Sequence, residues 1–396
     1  MDITIHPRPL RGQINIIPSK SQAHRLLICA AFADKPTTIL CSQTSRDMEA
    51  TADCLCALGA QVLRTDSGYF VIPVQQIPEK ADLPCCESGS TLRFLLPVVG
   101  ALGVEATFHM EGRLPQRPLS PLWEEMQRMG CTLSRPSENT ILCCGKLRPG
   151  TYSIDGSVSS QFITGLLLAL SLLEEESHLA VTGKVESKPY IDLTRQAISL
   201  FGADPEHPGT TRFRSPGQIT VEGDWSNGAF FLAANALNGD LVIHGLNEDS
   251  VQGDKAAAHW IPLLCRECCT IDASDIPDLV PVLSIVAAAK HGAVFTNIQR
   301  LRIKESDRAA STVAMIRALG GEAEASENAL TVSGTGLTGG IVDAMNDHRI
   351  AMSAAVASTV CQRDVTILGA ESVQKSYPTF WDVFSRSGGK YEQYLR

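Results

Sequence analysis

Polar and apolar positions form a long-range pattern along this chain. Six times, a short polar and turn-prone stretch is followed at once by an apolar run with helical spacing. These segments are SKSQAHRLLICAAFA (19–33), ESGSTLRFLLPVVGAL (87–102), DGSVSSQFITGLLLAL (155–170), EGDWSNGAFFLAANAL (222–237), ASDIPDLVPVLSIVAAAK (273–290) and MNDHRIAMSAAVAST (345–359). The first four begin 68, 68 and 67 residues apart. The pattern predicts six buried helices and an internal repeat of about 70 residues.

A second set of amphipathic segments lies between the apolar runs. The segments with a Gly directly after the last apolar residues are ATADCLCALG (50–59), PLWEEMQRMG (121–130), DLTRQAISLFG (192–202), STVAMIRALG (311–320) and FWDVFSRSGG (380–389). Gly in this position is typical of a helix C-terminus, and a further candidate over 256–264 lacks it. Short pieces rich in Val, Ile and Thr between the helices predict strands. Each repeat is therefore predicted to be a βαβαββ unit.

Six such repeats are too many for one pair of layers around one core, so two groups of three are expected. The fold class that follows is α/β (α+β), with two globular domains built around buried parallel helices. Parallel helices bring their N-termini to one end. Their dipoles and free N–H groups then create a region suited to anions.

Composition narrows the function classes. The formal net charge of −9 over 396 residues argues against a nucleic-acid-binding surface.

The stretch MDITIHPRPL has no apolar segment of signal-peptide length, and the apolar run 162–173 is short and interrupted, so we expect a cytoplasmic protein without a membrane segment. Thirteen scattered Cys are typical of a reducing compartment, and the single CxxC at Cys265 and Cys268 is weak evidence for zinc, so no metal site is predicted.

The residue types that could carry chemistry are cations near helix starts and a few acids. Arg25, Arg93 and Arg349 lie inside three of the apolar segments, where capping does not account for them. Arg presents a planar fork that matches phosphate and carboxylate. Asp278 of DIPD is a proton-transfer candidate or a helix cap, and the RIKESDR stretch around Glu305 is a ligand-contact candidate or a salt-bridged helical face. The sequence contains no GxxxxGK[ST], GxGxxG after a strand, HExxH or GxSxG.

Taken in order, these motifs resemble a known family. SKSQAHR, ESGSTLR, DGSVSSQF, SKPYID, IPD, RIKESDR and NDHRIAM are similar to the 5-enolpyruvylshikimate-3-phosphate synthases (3-phosphoshikimate 1-carboxyvinyltransferases), within the enolpyruvyl transferase family. The resemblance implies an inside-out α/β barrel in each domain, with the N-terminal globule at 19–223, the C-terminal globule at 1–18 plus 224–396, and the active site in the cleft between them. It also implies transfer of an enolpyruvyl group from phosphoenolpyruvate to the 5-hydroxyl of shikimate 3-phosphate by addition and elimination, without a cofactor. We expect a monomer.

The resemblance also implies roles for individual residues. The catalytic residues implied are Lys20, Asp278, Glu305 and His348, with Asp278 taking the 5-hydroxyl proton and the other three sharing the protonation of the methylene carbon. The residues implied to bind shikimate 3-phosphate are Lys20, Ser21, Arg25, Ser159, Ser160, Gln161, Ser187, Asp278 and Lys304. The residues implied to bind phosphoenolpyruvate are Lys20, Gly89, Arg93, Arg117, Gln161, Arg308, Arg349 and Lys375.

Departures from the family pattern and two alternatives stay open. His24 stands where many members have Asn, and Glu87 and Ser90 replace the Asn and Thr of the commoner NAGT form. We expect a structural role for His24. The first alternative is the sister enzyme that uses UDP-N-acetylglucosamine, although the loop GRLPQRPL lacks the Cys usual there. The second is a non-catalytic anion-binding relative, against which the presence of Lys20, Asp278 and Glu305 argues.

Overall fold

The computed structural model describes residues 1–394 and contains twelve α-helices in that range. In chain order they are α1 (Lys20–Ala31), α2 (Arg46–Ala57), α3 (Gly89–Leu102), α4 (Leu122–Arg128), α5 (Ser160–Leu170), α6 (Lys188–Leu200), α7 (Trp225–Ala236), α8 (Ala257–Leu264), α9 (Val280–Ala289), α10 (Arg308–Ala318), α11 (His348–Ala357) and α12 (Phe380–Arg386). All six apolar segments form helices, and nearly all of their residues are buried. None of the described helices is both long enough and apolar enough to cross a membrane.

Twenty strands accompany these helices within the described residues. The first ten are β1 (Asp2–His6), β2 (Arg11–Asn15), β3 (Thr37–Leu40), β4 (Gln61–Thr65), β5 (Gly68–Ile72), β6 (Lys80–Cys86), β7 (Glu105–Met110), β8 (Cys131–Ser137), β9 (Thr140–Gly145) and β10 (Thr151–Asp155). The others are β11 (His178–Thr182), β12 (Gln218–Thr220), β13 (Asp240–His244), β14 (Cys269–Asp272), β15 (Ala293–Thr296), β16 (Ala323–Ala325), β17 (Ala329–Val332), β18 (Gly340–Asp343), β19 (Val365–Leu368) and β20 (Lys390–Tyr394).

The chain divides into two compact units, each with its own core. Unit 1 comprises Met1–Ile17 and Glu222–Arg396, and unit 2 comprises Pro18–Val221. These bounds differ by one or two residues from those expected from the sequence. Each core is filled by the apolar helices and by the inward-facing residues of the surrounding strands.

The second and fifth repeats have the predicted βαβαββ order without interruption. In unit 2, the second repeat forms the sheet β6-β7-β9-β8, and in unit 1 the fifth forms β14-β15-β17-β16. In both sheets the first two strands are parallel and flank a buried helix, and the last three are antiparallel. The sixth repeat borrows β1 to complete the sheet β18-β19-β1-β20. The described strands form six separate sheets, and no continuous strand order joins them into a closed barrel.

The prediction of six uniform contiguous repeats is wrong in two respects. First, the strands that precede α1 and α7 are exchanged between the units. Strand β2 pairs in parallel with β13 of unit 1, and β12 pairs in parallel with β3 of unit 2. Each crossing of the chain between the units therefore separates a strand from the helix that follows it.

Second, the third and fourth repeats lack the closing hairpin and have two-stranded sheets, β10-β11 and β2-β13. After α6 the chain reads GADPEHPGTTRFRSP, in which three Pro cannot donate backbone hydrogen bonds to a strand ladder. After α8 only the residues 265–268 separate the helix from β14. That segment is too short for a pair of strands.

Close helix packing in unit 2 depends on one glycine. Helix α3 packs along α5, and a Cβ placed on Gly165 would collide with the backbone carbonyl of Arg93. A larger residue at position 165 would push the two helices apart. Arg93 lies in the first turns of α3, so the N-terminal ends of α3 and α5 are held close together.

The cysteines of this chain are free thiols, most of them inside the two units. All thirteen are unpaired, and eight of them are buried. Free Cys packs as a small apolar residue. In residues 1–394 no group of three or more His, Cys, Asp and Glu side chains is arranged to hold a metal ion.

Candidate active site

In unit 2, the starts of the buried helices hold a cluster of cations. Lys20 is the first residue of α1, and its Nζ lies 2.8 Å from Oδ2 of Asp47 in the first turn of α2. The carbonyl of Ser21 accepts a hydrogen bond of 2.5 Å from Nη1 of Arg25. An ion pair at this position offsets a cation that the positive end of the α1 dipole disfavours.

Arg25 links three helices although its side chain is almost fully buried. Its Nε donates to Oγ1 of Thr194 in α6 at 2.8 Å, and its Nη2 donates to Oγ1 of Thr164 in α5 at 3.2 Å. The same Nη2 donates to the carbonyl of Tyr190 at 2.9 Å, and the guanidinium stacks over Phe94. Burial lowers the pKa of Arg25 to about 9, which leaves the group charged at pH 7. Helices α1, α5 and α6 therefore meet at Arg25.

Gln161 makes the corresponding link between α3 and α5. Its Oε1 accepts from Nη1 of Arg93 at 2.7 Å, and its Nε2 donates to Oγ of Ser90 at 3.1 Å. Arg93 is buried and also donates to the carbonyl of Pro118 at 3.0 Å. Ser159 caps α5 by accepting from the backbone N–H of Gln161 at 3.3 Å. The capped start of α5 and the guanidinium of Arg93 in α3 therefore lie side by side.

The remaining unit 2 candidates lie beside these helix starts. Gly89 is the first residue of α3, and a Cβ there would lie 2.5 Å from Nη1 of Arg117, so the guanidinium of Arg117 occupies the space that glycine leaves. Ser160 is the first residue of α5 and is buried. Ser187 is buried before α6 with φ of 54°, a conformation that is uncommon for a residue other than glycine. All the unit 2 residues named from the sequence therefore lie at or next to helix starts.

In unit 1, three cations converge on the carboxylate of Asp278. Nη1 of Arg308 lies 2.5 Å from Oδ1, Nζ of Lys304 lies 3.2 Å from Oδ1, and Nη2 of Arg349 lies 3.2 Å from Oδ2. Helix α9 begins at Val280 with no side-chain cap, so the interpretation of Asp278 as a helix cap is wrong. The carboxylate is 14% exposed, which leaves it within reach of a ligand.

Arg308 is the centre of a buried network of carboxylates. The side chain is 1% exposed, and Nε donates to Oδ2 of Asp347 at 2.8 Å while Nη2 lies 2.5 Å from Oε2 of Glu305. Residues 304–307 are not helical, because a 3-10 turn ends at Ile303 and α10 begins at Arg308. The interpretation of RIKESDR as a salt-bridged helical face is therefore also wrong.

His348 and Lys375 lie at the ends of other elements of unit 1. His348 is the buried first residue of α11, with Nδ1 3.9 Å from Oδ1 of Asp347. That carboxylate is directed to Arg308, to Oγ of Ser306 and to the backbone N–H of Arg349. Nζ of Lys375 donates to the carbonyl of Asn346 at 2.9 Å. The starts of α10 and α11, and the segment before α9, therefore come together in unit 1.

Burial and neighbouring charges shift the pKa values of three groups in unit 1. Burial lowers the pKa of Lys304 to about 8, although Asp278 opposes the change. Burial would raise the pKa of Asp347, but the charge of Arg308 prevails and lowers it. Asp254 accepts from the hydroxyl of Ser226 at the start of α7, and burial together with the charge of Asp278 raises its pKa to about 6. Such shifts are common at functional sites.

Several members of the two clusters are absent from the sequence-based set. Asp47, Thr164, Thr194, Asp254 and Asp347 belong to this group. Asp47 and Asp347 look like ordinary first-turn or cap residues in the sequence. In the sequence, both acids stand at a predicted helix start close to a cationic residue. That position does not show which cation the carboxylate contacts in the folded protein.

Comparisons with known proteins lead to one family. The family model for EPSP synthase (3-phosphoshikimate 1-carboxyvinyltransferase) matches residues 5–263 and 265–384. A 3-phosphoshikimate 1-carboxyvinyltransferase of Clostridium kluyveri is 37% identical over 419 residues, covering 99% of this chain and 98% of the relative. The enzyme of the same name from Clostridioides difficile is 36% identical over 430 residues, covering 99% and 98%.

Two solved structures share the fold. EPSP synthase from Acinetobacter baumannii superposes with a TM-score of 0.79 at 21% identity, covering 99% of this chain and all of that chain. The enolpyruvyl transferase NikO from Streptomyces tendae gives a TM-score of 0.76 at 17% identity, covering 99% and 98%. These likenesses confirm the predicted fold class. Together with the full-length relatives and the family model, they show that this chain belongs to the EPSP synthase (3-phosphoshikimate 1-carboxyvinyltransferase) family.

Proposed function

We propose that this protein transfers the enolpyruvyl group of phosphoenolpyruvate to the 5-hydroxyl of shikimate 3-phosphate and releases phosphate, as a step of aromatic amino acid biosynthesis. The observation that carries the proposal is the convergence of cationic side chains on helix starts within each unit. Each substrate carries a carboxylate and a phosphate, and Arg forks with helix N-termini are suited to both groups. Full-length relatives named for this activity support it.

The proposed binding roles follow the two clusters. In unit 2, Arg25, Ser159, Ser160 and Ser187, with Lys20, Ser21 and Gln161, bind shikimate 3-phosphate. Gly89, Arg93 and Arg117 bind phosphoenolpyruvate, together with Arg308, Arg349 and Lys375 of unit 1. Arg308 is held by Asp278, Glu305 and Asp347, so a substrate carboxylate competes with these internal carboxylates for its N–H groups.

The proposed chemistry needs one base and one acid and no cofactor. Asp278 takes the proton of the 5-hydroxyl as that oxygen bonds to the central carbon of phosphoenolpyruvate. A proton delivered by Glu305, Lys20 or His348 converts the methylene to a methyl group. In the second step the methyl group returns a proton, the bond to the phosphate oxygen breaks and phosphate leaves. Positioned acids and bases of this kind accelerate proton transfer about a hundredfold to ten-thousandfold.

Ligand-dependent thermal stability tests the binding half of the proposal. Arg25 and Arg93 are buried cations near helix starts, and an anion that binds the folded state there and not the unfolded chain stabilises the folded state. Shikimate 3-phosphate at about a hundred times its Kd should raise the free energy of unfolding by about 2.7 kcal/mol and the Tm by several degrees. Shikimate and UDP-N-acetylglucosamine at equal concentrations serve as controls. An equal rise with all three, or none with shikimate 3-phosphate, would argue against the assigned acceptor.

The pKa of Lys304 gives a pH-dependence with a definite sign. Because that pKa is lowered to about 8, the charged form prevails below pH 8 and is lost above it. We expect the KM for shikimate 3-phosphate to rise about twofold between pH 7 and pH 8, where half of the Lys304 side chains lose their charge. It should then rise about tenfold by pH 9.5, the loss expected for one charge-assisted hydrogen bond. Lys304→Met should show a raised KM and no such rise. A wild-type KM that stays constant to pH 9.5 would exclude Lys304 from substrate binding.

A further inference from the structure

His24 is the residue of the first helix start that the proposed function does not use. It lies in α1 between the functional candidates Lys20 and Arg25, and its side chain is completely buried. Its ring stands edge-on to Phe94, with 6.3 Å between the ring centroids. A polar side chain at full burial requires a hydrogen-bond partner, and its partner shows what it does.

That partner begins a chain of buried hydroxyls that crosses three helices. Nδ1 of His24 lies 2.7 Å from Oγ1 of Thr51 in α2, and this oxygen lies 2.7 Å from Oγ1 of Thr91 in α3. Thr91 in turn contacts Oγ of Ser88, the N-cap of α3, at 2.7 Å. All four side chains are buried. The chain therefore joins α1, α2 and the cap of α3.

The chain has a direction, which assigns the proton of the imidazole. Ser88 Oγ accepts from the backbone N–H of Thr91 at 3.2 Å and from the hydroxyl of Thr91. A hydroxyl has one hydrogen, so Thr91 then accepts from Thr51, and Thr51 accepts from His24. His24 therefore carries its hydrogen on Nδ1. Burial lowers the pKa of His24 well below 6.5, and the charges of Lys20 and Arg25 lower it further, so the ring is neutral at pH 7.

The hydroxyl chain lies next to candidate substrate contacts at Thr91 and at Ser88. Oγ1 of Thr91 is 3.4 Å from the carbonyl of Asp47, whose carboxylate pairs with Nζ of Lys20 at 2.8 Å. Ser88 directly precedes Gly89, and Arg93 follows one turn later in the same helix. A rotation of α2 relative to α1 would therefore move Asp47 away from Lys20, and a rotation of α3 would move Arg93 relative to Lys20.

We propose that His24 is a positioning residue that fixes the first turns of α2 and α3 against α1 through Thr51 and Thr91, and so places Lys20, Gly89 and Arg93 for phosphoenolpyruvate. The inference rests on the proposed function only for its kinetic readout. Asn at position 24 supplies an amide nitrogen attached to Cγ, as Nδ1 is, and so preserves the first link of the chain.

The test compares variants that break the chain with a variant that keeps it. His24→Phe removes the first link, Thr51→Val removes the first link and the link to Thr91, and His24→Asn retains both. Cys29→Ala is the matched control, because Cys29 is also fully buried in α1 but takes no part in the chain. Phosphate release with phosphoenolpyruvate and shikimate 3-phosphate gives KM and kcat, and thermal unfolding gives Tm.

We expect His24→Phe to raise the KM for phosphoenolpyruvate about tenfold, the loss expected for one buried hydrogen bond, and Thr51→Val to raise it at least as much, because Thr51 makes two links. The double variant should be no worse than Thr51→Val alone, because that change already removes the link to His24. His24→Asn and Cys29→Ala should stay within about twofold of wild type. An unchanged KM in His24→Phe, an equal rise in Cys29→Ala or additive effects in the double variant would overturn the proposal.

Nitrogen-15 NMR of the wild-type protein gives a readout that is independent of turnover. His24 should show the tautomer with hydrogen on Nδ1 and should not titrate between pH 8 and 5.5. The other tautomer, or titration near pH 6.5, would overturn the hydrogen-bond chain. If the wild type released no phosphate, the proposed function would fail, while the tautomer would still decide the structural part of this inference.

Discussion

Asp278→Asn should lower kcat about a hundredfold to ten-thousandfold, the usual cost of losing a positioned general base. The amide keeps the size of the side chain and one oxygen, which can accept from Lys304 and Arg308 while the contact with Arg349 is lost, but it cannot take the proton of the 5-hydroxyl. The KM for shikimate 3-phosphate should change much less than kcat. Steady-state phosphate release, together with calorimetric titration of shikimate 3-phosphate, measures both effects.

Asp275→Asn is the control for this variant. Asp275 lies in the same loop, three residues earlier, and is exposed. Its replacement should leave kcat within about twofold of wild type, as is usual for a surface change away from the machinery. A wild-type kcat in Asp278→Asn would remove this residue from the proton transfer.

Asp347→Ala should lower the free energy of unfolding of unit 1 by about 3–5 kcal/mol, the usual cost of removing one partner from a buried ion pair. The Asp347 carboxylate is fully buried and accepts from Arg308, Ser306 and the backbone of Arg349. Its loss leaves Arg308 inside unit 1 with less compensation and removes the cap of α11. Urea unfolding followed by circular dichroism measures the change.

Asp343→Ala is the matched control, since Asp343 is an exposed acid at the end of β18, four residues earlier. We expect a loss within about 1 kcal/mol for that surface variant. Equal stability of Asp347→Ala and wild type would show that Arg308 does not depend on this carboxylate. The buried network around Arg308 would then have to be described differently.

The helices were predictable because their signals are local. Apolar spacing and polar caps indicated all six buried helices. The starts were less accurate where Pro intervenes, since α9 begins at Val280 although its apolar segment was placed from 273. Pro277 disfavours helical geometry in the residue before it, while Pro281 fits the first turn of a helix.

The strand exchange was not predictable from the repeat pattern, because it depends on partners far apart in the chain. The domain bounds implied by the family resemblance, which join 1–18 to 224–396, agree with it. β2 pairs with β13, from Arg11 against Asp240 onward. Neither strand carries a local signal for that partner, and a repeat read along the sequence assigns β2 to the helix that follows it. Tertiary packing alone decides between these pairings.

The candidate site likewise has residues that the sequence indicated and residues that it did not. The family motifs indicated the cations, but the acids that hold them, Asp47 and Asp347, resemble ordinary helix-start residues in the sequence. His24 shows the same limit. Its type and position indicated a structural role, while the hydroxyl chain through Thr51 became visible only when α1, α2 and α3 were packed together.

The activity proposed for this protein is transfer of the enolpyruvyl group of phosphoenolpyruvate to shikimate 3-phosphate. The most direct measurement is phosphate release from phosphoenolpyruvate with shikimate 3-phosphate or UDP-N-acetylglucosamine as the acceptor, with the product identified by mass spectrometry. We expect turnover and a 5-enolpyruvyl product with shikimate 3-phosphate alone. Turnover with the sugar nucleotide and none with shikimate 3-phosphate would contradict the proposed activity, as would the absence of turnover with both acceptors.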